Sequence, residues 1–99
     1  MAIYAIWESR FPAETAPQGL DVTEDIWRDM QGFAGYLGHQ LVRDLDDPGH
    51  LLVVSQWTTR QRADEVVVEY AGYPNAGRAD QLVSEPRRRF VGQAVSQST

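Results

Sequence analysis

Between Ala2 and Arg10 apolar side chains fall on both parities of an alternating pattern, with Ile3, Ala5 and Trp7 on one and Tyr4 and Ile6 on the other. A period of two predicts a strand, and apolar residues on both faces predict one that is covered on both sides. Pro12 ends it. From Thr15 to Met30 the period changes: Val22, Ile26 and Met30 recur every four positions, flanked by Leu20 and Trp27, which is the stripe of an amphipathic helix. Thr15 and Gln18 have the spacing of a capping box, and Pro17 falls in the first turn, where a missing N–H costs little. Gly32 is placed to stop the helix.

A second strand is predicted over about Phe33 to Asp44, with Leu37, His39, Leu41 and Arg43 on one face and Tyr36, Gly38, Gln40 and Val42 on the other. Asp46-Asp47-Pro48-Gly49 is a turn signal, so the next strand, about His50 to Thr58, completes an antiparallel hairpin. Leu51, Val53, Ser55 and Trp57 share one of its faces; Leu52, Val54 and Gln56 share the other. A second helix begins near Thr59 and buries Ala63, Val66, Val67 and Tyr70. Gly72 to Asn75 breaks it, a short helix resumes from Pro74 to Val83, and a last strand covers about Arg87 to Val95. Ser96 to Thr99 reads as a frayed polar tail. The order β-α-β-β-α-β predicts a ferredoxin-like α+β fold, a four-stranded antiparallel sheet with its helices on one face. The other face is then apolar and bare, and a second copy of the chain is the expected cover.

Composition narrows the function. Ninety-nine residues suit one domain, residues 1–99. With 42% hydrophobic and 23% charged residues the chain is globular rather than disordered. A formal net charge of −5 argues against nucleic acid or an anionic membrane as partner. The one basic run, Arg87 to Arg89, is expected to point outward on an edge strand, where charge opposes aggregation. The absence of cysteine removes disulfides, thiolate metal sites and a cysteine nucleophile. Neither a signal peptide nor an apolar run of roughly 20 residues is visible, so a cytoplasmic protein is expected. Asp44, Asp46 and Asp47 belong to a turn rather than a cation loop.

Gly32-Phe33-Ala34-Gly35-Tyr36, then Leu41, Arg43 and Asp44, the Asp-Asp-Pro-Gly turn, Trp57 and Tyr73-Pro74-Asn75 together resemble the antibiotic-biosynthesis-monooxygenase family over Ile3 to about Val95. The resemblance implies a dimeric α+β barrel and a monooxygenase that needs no metal or organic cofactor. It implies molecular oxygen as co-substrate and an aromatic substrate, a polyketide-like phenol or anthrone, held between sheet and helices. Two positions depart from the quinone-forming members: Val53 and Ser9 stand where asparagines are expected.

Trp57 is the leading catalytic candidate, offering a ring wall and an indole N–H, and His39 is the candidate base because imidazole exchanges protons near neutrality. Tyr70, Tyr73, Tyr36, Arg78, Trp27 and Ser9 are the candidate substrate-binding residues, and Trp7 is a possible addition to the wall. A cyclase or isomerase on the same scaffold and a non-catalytic binding dimer are the alternatives. Haem degradation has less support, since no histidine lies between Thr58 and Val95.

Overall fold

The computed structural model describes residues 3–98, so the expectations for Ala2 and Thr99 lie outside it. Strand β1 spans Ile3–Arg10, helix α1 Ala16–Met30, β2 Tyr36–Arg43, β3 His50–Trp57, α2 Arg60–Tyr70, α3 Pro74–Leu82 and β4 Arg88–Gln93. The strands form one antiparallel sheet in the order β2-β3-β1-β4, the ferredoxin-like arrangement. Leu51, Val53, Ser55 and Trp57 form the buried face of β3, as alternation requires, and β1 adds Ala5 and Ser9. Onto this face pack Val22, Ile26, Trp27 and Met30 of α1, Ala63, Val66 and Tyr70 of α2, and Ala76 and Ala79 of α3. Residues 94–98 are exposed and carry no regular structure. Among the described residues no helix is long and apolar enough to cross a membrane.

Three local expectations are corrected. Thr15 makes no capping bond, because the chain enters α1 through a 3-10 turn over Ala13–Thr15 and Thr15 is not extended, with φ −113° and ψ 10°. Gly32 is not the left-handed stop. The backbone turns at Gly35, which has φ +91°. In β2, Tyr36 pairs with Trp57 and Gly38 with Gln56, so Leu37 is an extra residue in a bulge. The bulge puts Tyr36 on the same face as His39 and leaves Leu37 55% exposed.

Gly35 is required twice over. Its φ suits only glycine, and a Cβ there would stand 2.8 Å from Arg62 Cβ, while Arg62 Nε donates to the Ala34 carbonyl at 2.8 Å. Gly35→Ala is expected to cost ~1–3 kcal/mol. A urea midpoint equal to that of the wild type would refute this.

The sheet face away from the helices carries Tyr4, Ile6, Leu52, Val54 and Phe90, the last 61% exposed. At one end of it His50 joins two carboxylates, Nδ1 to Asp44 Oδ2 at 2.9 Å and Nε2 to Glu8 Oε2 at 2.7 Å. Hydrogen bonds to Asp44 and then Glu8 hold the imidazole above the usual histidine range, and His50 in turn lowers both carboxyls. The histidine contribution is complete below its ordinary pKa and is lost as pH rises through the raised folded value. The carboxylate contributions are complete above the ordinary carboxylate range and are lost as pH falls through their lowered values. The trio therefore stabilises most between about pH 4.5 and 6.5. His50→Gln is expected to flatten the decline in thermal midpoint between pH 6 and 8; an unchanged slope would exclude the trio as its source.

Candidate functional site

Between the inner sheet face and the helices lies a cavity of about 170 Å³. All three tryptophans of the chain bound it: Trp7 from β1, Trp27 from α1 and Trp57 from the end of β3. Trp57 is 1% exposed and meets Tyr36 edge to face, 5.8 Å between centroids. Its indole N–H donates to Ser55 Oγ at 2.9 Å, and Ser55 donates onward to the Ala5 carbonyl at 2.7 Å. The donor that the sequence offers to a ligand is thus engaged inside the sheet, and Trp57 gives the cavity only its ring.

Other polar groups of the wall are similarly committed. Thr23 donates to the Gly19 carbonyl at 2.7 Å. Tyr70 donates to Asp29 Oδ2 at 2.6 Å, and Asn75 Nδ2 donates to the same oxygen at 3.0 Å, which ties α2 and α3 to α1. Burial first, and then Asp29, hold the Tyr70 phenol well above the usual tyrosine range, so it stays protonated. Ser9 and Val53, the two departures from the family pattern, both border the cavity.

Four candidates lie off the wall. His39 packs on Trp27 at 5.5 Å, and its Nδ1 is 2.6 Å from the Tyr36 hydroxyl. Burial lowers the His39 pKa and raises that of Tyr36, so both are neutral near pH 7. Tyr73 stacks on Tyr70 at 4.7 Å from the outer side. Arg78 donates to Asn75 Oδ1 at 2.7 Å and lies 3.6 Å from Asp25 Oδ2.

Phe11, Asp80 and Arg87 are among the wall residues that the sequence reading does not place at the site. Phe11 follows β1, and its N–H donates to the Gly49 carbonyl at 2.8 Å. Cβ atoms at Gly19 and Gly49 would collide with the Phe11 ring and carbonyl respectively, so these two glycines are the sequence trace of its position. Asp80 and Arg87 meet at 2.8 Å on the cavity border. The outward placement expected for Arg87 to Arg89 holds only for Arg88. Arg89 is in register with Trp7 on the helix side, where its guanidinium donates to Asp64 Oδ1 at 2.8 Å and the Ala63 carbonyl at 2.9 Å. Both Arg87 and Arg89 lie over the Trp7 ring, at 5.4 and 5.7 Å from its centroid. Among the described residues no group of three or more His, Cys, Asp or Glu side chains is placed to hold a metal ion.

A split βαβ sheet with an aromatic cavity beneath its helices defines a ferredoxin-like α+β protein. Residues 2–65 match the family model described as antibiotic biosynthesis monooxygenase, and the chain belongs to that family. It is similar in structure to SnoaB, a cofactor-independent oxygenase from Streptomyces nogalater, at TM-score 0.80 and 14% identity over 97% of this chain and 94% of that one. An antibiotic biosynthesis monooxygenase aligns at TM-score 0.79 and 16% identity, covering 95% and 99% of the two chains. A putative monooxygenase of the same family from Deinococcus radiodurans aligns at TM-score 0.71 and 20% identity, covering 100% and 97%. No curated protein matches the chain.

Proposed function

We propose that the chain is a cofactor-independent monooxygenase that oxidises a hydroxylated aromatic small molecule with molecular oxygen. The cavity bounded by three tryptophans carries this reading, and family membership supports it. An apolar cavity of roughly 150 Å³ accepts one benzene ring. At about 170 Å³ this cavity holds the reacting ring alone, and further fused rings extend toward the border at Asp80 and Arg87. An electron-rich phenolate or anthrone anion passes an electron to oxygen without a cofactor. In the anthrone case the ring methylene becomes a carbonyl with one oxygen atom, and its two hydrogens leave with the other as water. The protein binds the anion, orients it against Trp57, Trp27 and Tyr70, and excludes water. Ser9 has the hydroxyl nearest in role to the missing amide. His39 and Tyr36 act as positioning residues behind Trp27 and Trp57, so the substrate is taken up already ionised. Tyr73 and Arg78 hold the outer side of Tyr70 and Asn75.

The same reading includes a homodimer formed through the open sheet face, where Phe90 is exposed and Ile6 and Val54, in register with it across the sheet, are half-buried. A specific interface buries at least about 1,000 Å², and sedimentation as a monomer at micromolar concentration would remove it. The activity is tested by oxygen uptake with a panel of anthrones and hydroquinones in buffer without added cofactor. Turnover-dependent uptake is expected. None across the panel would end the oxygenase reading and leave a cyclase, isomerase or binding protein.

A further inference from the structure

We infer that Arg87 is the specificity-determining residue of the cavity, selecting aromatic ligands that carry an anionic group, and that Asp80 holds its place until such a ligand arrives. The inference rests on the cavity being the substrate site. Asp80 and Arg87 are the only charged residues among those that bound it. The Thr23, Tyr70 and Trp57 donors are engaged by protein acceptors. That leaves Arg87 as the strong donor at the border of an otherwise apolar space.

The two partners are not equivalent. The Arg87 side chain is 21% exposed and held over the Trp7 ring, whereas that of Asp80 is 66% exposed. An exposed carboxylate moves into water at little cost, since an ion pair at the surface contributes little. A guanidinium laid on an indole cannot follow it without losing that contact. A carboxylate or phenolate on a bound ring therefore replaces Asp80 at Arg87 and keeps the charge paired throughout. Arg89, against the same indole, is paired with Asp64 and does not bound the cavity, so Arg87 is the guanidinium a ligand meets. A neutral ring gains only the apolar contacts.

The three indole N–H signals of the ¹⁵N-labelled protein all come from residues of the cavity, so they report its occupancy directly. Benzoate and benzamide, single rings of nearly equal shape, are the probes. Benzoate is expected to shift these signals at lower concentration than benzamide. Arg87→Gln is expected to weaken benzoate about tenfold or more, and Asp80→Asn to strengthen it severalfold by removing the competing carboxylate. Benzamide is expected to be unmoved by either change. The opposite signs of the two variants guard against a loss of fold as the explanation. Equal binding of both probes, insensitive to Arg87→Gln, would overturn the inference while leaving the cavity as the site. Failure of both probes to shift any indole signal would overturn the site reading and this inference with it.

Discussion

Trp57→Ala is expected to cost ~3–5 kcal/mol of folding stability, the range for emptying a large aromatic site in a core. That is a large share of the ~5–15 kcal/mol that holds a typical domain, so the variant should be partly unfolded near 37 °C. Trp57→Phe separates packing from hydrogen bonding. Because the indole N–H reaches Ser55 and not the cavity, phenylalanine removes one buried neutral hydrogen bond, worth ~0.5–1.5 kcal/mol. Turnover should then fall by less than about tenfold. Were that N–H a donor to a developing oxyanion, the loss would approach a hundredfold or more. Denaturant melts of both variants, with oxygen uptake by Trp57→Phe, distinguish the cases; a hundredfold loss with unchanged stability would contradict the geometry.

The second large effect is expected at Asp29. One carboxylate oxygen accepts from both Tyr70 and Asn75, and the Tyr70 ring is buried against the cavity. Asp29→Ala leaves a buried phenol without its acceptor and cuts the tie between α1 and the other two helices. It is expected to cost ~1.5–3 kcal/mol, the range for a hydrogen bond to a charged group. Tyr70→Phe removes the donor together with its need for a partner and should cost less, about 0.5–1.5 kcal/mol. Urea midpoints in the reverse order would show that Asp29 is solvated in the native state and does not tie the helices.

The sequence conveys the sheet better than it conveys the cavity. Alternation places Leu51, Val53, Ser55 and Trp57 on one face because β3 is regular throughout. In β2 the same rule fails at Tyr36, since a bulge inserts a residue without altering the composition of the strand. Arg87 and Arg89 read as an outward basic run because charge ordinarily seeks water. Here the Trp7 ring, Asp64 and Asp80 draw them to the helix side, and those partners are distant in sequence. The Trp57 N–H reads as free because nothing in the chain order reveals that Ser55, two residues earlier on the same face, accepts it.

The strand order carries a consequence for how the chain reaches this state. β1 sits inside the sheet between β3 and β4, so the earliest strand of the described chain waits for the latest to be covered. Ser55 bonds Ala5 across 50 positions, and the Ile3–Gln93 pairing spans almost the entire described chain. Contacts of such separation slow folding toward the millisecond-to-second range. At a translation rate of roughly 5–20 residues per second, Tyr4, Ile6 and Trp7 stay unpaired on one edge for seconds after they are made. During synthesis the aromatic strand that later walls the cavity is the segment most exposed to mispairing, and a chaperone that shields it should raise the yield more than one that acts on the finished helices.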